Sequence, residues 1–135
     1  MGMFDAFAIS GSGMTAERLR MDVIAGNLAN ADSTQGANGQ PYRRRLVVLQ
    51  TATPSFGQVL AGVKVAGIVE DQSPLRRVYD PSHPDADKQG YVTLPNVNPV
   101  TEMVDLITSS RGYEANVTAM NAAKQMFSKT FDILR

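Results

Sequence analysis

Apolar positions recur at alternating spacings of three and four residues near both ends of the chain, and everything irregular lies between. The N-terminal set is Phe4, Phe7, Gly11, Met14, Arg18, Met21, Ala25 and Leu28. The C-terminal set is Met103, Leu106, Ser110, Tyr113, Val117, Met120, Lys124, Phe127, Phe131 and Leu134. A mean period of 3.5 marks helices that pack on other long helices through one narrow seam. The pattern therefore predicts a helix over residues 3–31, about 44 Å long, and a second from Pro99 to Leu134, about 50 Å long. Asn98 suits the N-cap and Pro99 the first helical position, where its missing N–H is no loss. Glu102 and Asp105 near the start, with Lys124, Lys129 and Arg135 near the end, complement the helix dipole. Gly11 and Gly13 each cost roughly 1 kcal/mol relative to Ala inside a helix. At its seam position Gly11 reads as a place where another backbone comes close; Gly13 carries no such preference.

The middle alternates with a period of two instead. Asp32 to Gln40 is small, polar and glycine-containing, which marks a loop. In YRRRLVVLQT, Tyr42, Arg44, Leu46, Val48 and Gln50 alternate with Arg43, Arg45, Val47, Leu49 and Thr51, a strand pattern. GVKVAGIVED is a second strand, with Gly67 suggesting a bulge. LRRVYD, residues 75–80, is a weaker third, and DPSHPDADKQG is a turn. After Tyr91-Val92 the chain re-enters helix through LPNVNP. These short strands imply one small antiparallel sheet of two to four strands. The fold class is α+β, with the long N- and C-terminal helices paired as an antiparallel coiled coil around a β-rich middle. The expected division is 1–33 for the first helix, 34–95 for the middle and 96–135 for the second helix.

Composition removes most alternatives. The 135 residues carry 13 basic and 13 acidic side chains, so net charge is zero and no electrostatic case exists for nucleic acid. There is no Cys, which excludes disulfides, thiolate metal sites and a Cys nucleophile. The opening MGMFDAFAISGSGM lacks the basic and apolar regions of a Sec signal peptide, and no window is apolar enough to span a membrane. His83 is the only histidine and lies among Asp80, Asp85 and Asp87. An oxygen-rich metal site is conceivable there, but Pro and Asp favour turns for local reasons, so the turn reading prevails. No nucleophile constellation or phosphate loop is present, and no cofactor or small-molecule substrate is expected. Arg43, Arg44 and Arg45 point to alternate sides of a strand and read as a solvated surface rather than a phosphate site.

The polar members of the seams are more informative. Arg18, Ser110 and Lys124 occupy core-type positions, where such residues fix register or lay their stems along the seam. Asn27 and Asn30 share a helix face, where their amides either end the helix or bridge to another helix.

The run from Ser12 to Thr34, SGMTAERLRMDVIAGNLANADST, resembles the N-terminal motif of the bacterial flagellar axial proteins. Gly90-Tyr91-Val92, Pro95-Asn96-Val97-Asn98, Glu102 to Leu106, Arg111 to Val117 and Asn121 to Lys124 resemble the C-terminal part of that family's proximal rod subunits. The likeness covers essentially the whole chain, with Gly26 standing where the family usually has Asn. The resemblance implies a structural, non-enzymatic subunit exported through the flagellar type III apparatus without signal cleavage. It would stack helically in the basal-body rod across the periplasm, with copies of itself, other rod proteins and the basal-body base as partners. Its paired helices would form the inner layer and its middle the outer. The assembly interface expected on this basis comprises Phe4, Phe7, Gly11, Met14, Arg18, Met21, Asn27, Leu28 and Asn30 on the first helix. On the second it comprises Met103, Leu106, Tyr113, Val117, Met120, Lys124, Phe127 and Phe131. Other architectures with helical ends are a coiled-coil adaptor that forms no tube and, less in keeping with the residues, a metal-dependent enzyme at the Asp80–Asp87 turn.

Overall fold

The computed structural model describes residues 3–36, 39–52 and 61–133; Leu134 of the second seam and Arg135 lie outside them. Helix α1 runs over Met3–Ala29 and helix α2 over Pro99–Ile133. Between them lie β1 (Arg45–Thr51), β2 (Val63–Glu70), β3 (Arg76–Tyr79) and β4 (Tyr91–Leu94). The caps are as the residue types dictate. Asn98 Oδ1 accepts from the N–H groups of Val100 at 3.0 Å and Thr101 at 3.4 Å, and Pro99 opens the helix. At the C-terminal end of α1, Asn30 Nδ2 donates to the Gly26 carbonyl at 2.8 Å and closes the helix.

The two helices pack antiparallel. Gly11 approaches Met120, Gly13 approaches Asn116, Glu17 approaches Gly112, and Asn27 bonds Glu102. The tight crossing is at Gly13, where a Cβ would fall 2.8 Å from Asn116 Nδ2. At Gly11 it would meet only the Met120 side chain, at an ordinary 3.9 Å, so the close backbone approach expected there is not found, and the tight contact at Gly13 is with a side chain.

The seam within the molecule is also displaced from the pattern of large apolar residues. On α1 the buried positions are Ala16, Ile24 and Asn27, followed by Ala31 just beyond the helix. Phe7, Gly11, Met14, Met21, Leu28 and Asn30 are half-buried, while Phe4, Arg18 and Ala25 are exposed. On α2, Glu102 and Ser109 are buried; Leu106, Ser110, Tyr113, Val117 and Met120 are half-buried; Met103, Lys124, Phe127 and Phe131 are exposed. Small side chains at the crossing let the backbones close up, and the larger ones are pushed to the flanks. Arg18 thus fixes no register within the molecule.

The strands form two separate antiparallel ribbons, β1–β2 and β3–β4, and not one sheet. Strand β4 replaces the direct return to helix after Val92; bounded by Gly90 and Pro95, it is too short to show a clear alternation. The bulge falls beside Gly67: Val48 pairs with Gly67 and Leu49 with Val65, which leaves Ala66 unopposed. A lone two-stranded ribbon is marginal in water, and β1–β2 is held against α1. Ser12 Oγ fastens it there, donating to the Ile9 carbonyl at 2.7 Å and accepting from Val63 N–H at 3.0 Å. Gly62 passes so close that a Cβ would lie 2.6 Å from that hydroxyl.

The core is thin. Among the described residues its buried apolar members are Ala16, Ile24, Ala31, Val92 and Val97, with Pro95. The molecule exposes 9554 Å², against about 6,900 Å² for a globular monomer of 14.6 kDa.

Candidate functional site: a polar joint and the surfaces it sets

The end of α1, the entry to β1 and the start of α2 meet at Asn27 and Glu102, each 1% exposed. Asn27 uses its full hydrogen-bonding capacity. Its Nδ2 donates to the Arg45 carbonyl at 2.9 Å and to Glu102 Oε2 at 3.0 Å. Its Oδ1 accepts from the Tyr42 hydroxyl and from Arg45 N–H, both at 2.9 Å. Arg44 Nε donates to Glu102 Oε1, and its Nη2 reaches Asp105 Oδ2 at 3.2 Å. Burying a carboxylate is costly unless it is paired and hydrogen-bonded, and here both oxygens of Glu102 are engaged.

Arg44 is therefore not a solvated surface residue, as its run of three arginines suggested. Alternation along the chain sends it inward, while Arg45 lies 5.6 Å over the Tyr42 ring and 3.9 Å from Glu70. Arg43 Nη1 is turned to the carbonyls of Asp71 and Ser73 at 3.4 and 3.3 Å. Asn96 completes the joint: its Oδ1 accepts from Arg44 N–H at 2.8 Å and its Nδ2 donates to the Asp71 carbonyl at 3.1 Å. Burial first, then the carboxylates of Glu102 and Glu70, raise the Tyr42 phenol above its ordinary value of 10.0, while Arg45 opposes them.

Of the two asparagines singled out by sequence, Asn27 does bridge to the other helix, whereas Asn30 closes its own. Tyr42, Arg44, Asn96 and Glu102 were not seen as partners, because each lies in a different segment and only folding assembles them. His83 belongs to the turn after β3, where its Nδ1 accepts from Asp85 N–H at 3.1 Å. Asp85 also holds the loop after α1, through Thr34 and Gln35, both at 2.6 Å.

Among the described residues, exposed apolar side chains lie on the β1–β2 ribbon, at Leu46, Val48, Leu49, Val63, Ile68 and Val69, and at two places on α2. Val100, Met103, Val104 and Ile107 form a stripe on α2, each more than half exposed. At the far end, Phe127 and Phe131 stack edge-to-face at 4.4 Å and remain exposed, as does Phe4 near the start of α1. Both phenylalanines continue the buried face of α2 past the described start of α1. The fold and its joint define a structural protein of paired helices, whose polar side chains hold elements together while apolar side chains of α2 stay exposed.

Residues 7–37 match the family described as flagella basal body rod protein, and residues 88–133 match flagellar basal body rod FlgEFG protein C-terminal. The flagellar basal-body rod protein FlgC of Bacillus subtilis (strain 168) is 49% identical, over 98% of this chain and 99% of the relative. That of Salmonella typhimurium (strain LT2) is 47% identical over 98% of each, and that of Borreliella burgdorferi is 43% identical over 100% and 99%. The chain belongs to the FlgC family of flagellar basal-body rod proteins and is a structural subunit of the rod.

Proposed function

We propose that the subunit sits in the proximal rod, in the periplasm, and passes torque along it through contacts of its terminal helices with copies of itself and with other rod proteins. On this reading residues 1–33 and 96–135 form the inner layer, 34–95 the outer layer, and the chain is exported by the flagellar type III apparatus without signal cleavage. It has no enzymatic role and takes neither cofactor nor nucleic acid. The observation that carries this reading is the uncovered continuation of the helix seam at Phe127 and Phe131. An apolar side chain of that size gains about 1.5–3 kcal/mol on burial, which on this reading a neighbouring subunit provides.

Around this seam the assembly interface comprises Phe4, Phe7, Gly11, Met14, Arg18, Met21, Leu28, Met103, Leu106, Tyr113, Val117, Met120 and Lys124, with Asn27 and Asn30 setting the helix end behind them. The test is complementation of a bacterium lacking its own copy. The wild-type chain restores swimming, whereas the double variant Phe127→Ala/Phe131→Ala is exported, keeps its β ribbons and fails to enter the basal body. Normal swimming by the double variant would overturn the interface assignment.

A further inference from the structure

We propose that Glu17 of α1 and Asn116 of α2 form a second polar joint between the helices, open in the isolated subunit and closed once a neighbouring subunit covers the far end of the pair. The closing step rests on the assembly proposed above.

Buried polar atoms are nearly all hydrogen-bonded, and each one that is not calls for a physical reason. Among the described residues two such side-chain atoms lack a partner, Glu17 Oε2 and Ser109 Oγ. Both lie along the helix pair: Glu17 rests against Gly112, and Ser109, 1% exposed, stands one turn before that glycine. Arg20 gives Glu17 little relief, because its Nη1 is 4.0 Å from Oε1, beyond hydrogen-bonding distance. The Asn27–Glu102 end of the pair is saturated with hydrogen bonds, and this stretch is not.

A donor is at hand. Asn116 lays its amide on Gly13, with Nδ2 2.8 Å from the place of a Cβ there, and Glu17 lays its carboxyl on Gly112, with Cδ at 3.3 Å from the corresponding point. Gly13 and Glu17 are one turn apart on α1, as are Gly112 and Asn116 on α2, so the four positions mark the corners of one square. Side chains lean toward the N-terminus of their own helix. In an antiparallel pair that lean carries Glu17 toward the level of Asn116, and Asn116 toward the level of Glu17. Neither glycine has a Cβ to stand between them. Yet the Asn116 amide makes no hydrogen bond with any described residue. One turn rises about 5.4 Å and an N–H···O bond spans about 3 Å, so about half a turn separates the groups from bonding.

Asn27 and Glu102 pin α2 lengthwise. The gap therefore closes by the helices drawing together with a change of rotamer, and not by sliding. Ordering both side chains costs conformational entropy, and the far end of the pair supplies nothing to offset it while Phe127 and Phe131 stay exposed. A neighbour that buries those rings against a tightened pair binds the closed form better than the open one, and that difference shifts the equilibrium.

Reversing donor and acceptor tests the joint. In the isolated full chain Asn116→Ala does not lower the urea unfolding midpoint, because no bond is lost; a lowered midpoint overturns the open state. In a bacterium lacking its own copy, Asn116→Asp sets two carboxylates face to face and lowers the number of basal bodies containing the subunit by about tenfold or more. Adding Glu17→Gln restores a donor opposite a carboxylate, and the number recovers. Wild-type numbers with Asn116→Asp alone, or no recovery in the pair, overturn the closed joint. If circular dichroism shows that Asn116→Asp does not fold, Asn116→Ala decides in cells: a comparable loss is expected, and wild-type numbers overturn the joint. Failure of the wild-type chain to enter basal bodies counts against the rod assembly instead, so the two readings fail by different results.

Discussion

Asn27 holds three segments together with one amide, and its neighbours show what its loss would leave behind. Truncation to Ala strands the Tyr42 hydroxyl, the Arg45 N–H and carbonyl, and one oxygen of Glu102. Buried groups left without partners cost about 1–3 kcal/mol apiece, and relaxation recovers part of that. We expect Asn27→Ala to lower stability by about 2–4 kcal/mol, read from urea unfolding followed by circular dichroism. Its neighbour Gly26 should respond with the opposite sign. A Cβ there meets nothing within 4 Å, and the position is helical. Gly26→Ala should therefore raise stability by about 0.5–1 kcal/mol in the same measurement. The Tyr42 phenol adds a pH signature. Its value is raised on folding, so its contribution is complete below pH 10.0 and is lost as pH rises through the folded value. Tyr42→Phe should flatten the alkaline limb of the stability profile.

At the scale of elements, the β3–β4 ribbon is set by its turn. Gly90 has φ of 81°, and a Cβ there would fall 2.9 Å from Tyr79 Cε2. Gly90→Ala combines left-handed backbone strain with that clash and should cost about 1–3 kcal/mol, with loss of the Tyr79–Tyr91 edge-to-face contact visible by NMR. In the same turn the Tyr91 N–H, with that of Gln89 and the Arg77 guanidinium, holds the Asp87 carboxyl below its ordinary 3.8. A depressed carboxyl stabilises above its unfolded value and loses that contribution as pH falls through the folded one. The Asp87 contribution to the ribbon should therefore be lost as pH falls below about 3.8. How far these elements were legible depended on range. Asn98-Pro99 and the Gly67 bulge are local signals and read correctly from the sequence. The identity of the inward stripe did not, because Ala16, Gly13 and Gly112 mark a close crossing by being small, and hydropathy rewards large side chains. The joint was less legible still. Tyr42, Arg44, Asn96 and Glu102 are unremarkable singly, and only the return of α2 to the end of α1 makes them one network.

Taken whole, the molecule is secured at one end. The joint ties α1, β1 and α2 through Asn27, Glu102 and Arg44, and the buried residues Val92, Pro95, Val97 and Ala31 lie next to it. Toward the other end the helix pair loses support: among the described residues, burial on α1 stops at Ala16 and none is buried on α2 after Ser109. Helices are marginal in water without a packed face, so their stability should decay with distance from the joint. Amide exchange on the isolated subunit should show strongest protection over residues 24–31 and 92–109. Protection should fall progressively along α2 beyond Met120 and along α1 toward Phe4. The joint thus sets a gradient of stability inside each helix. Equal protection at Phe131 and Leu106 would contradict it. In the rod the same amides should become protected, because the exposed Phe127–Phe131 face then acquires the partner that α1 does not supply.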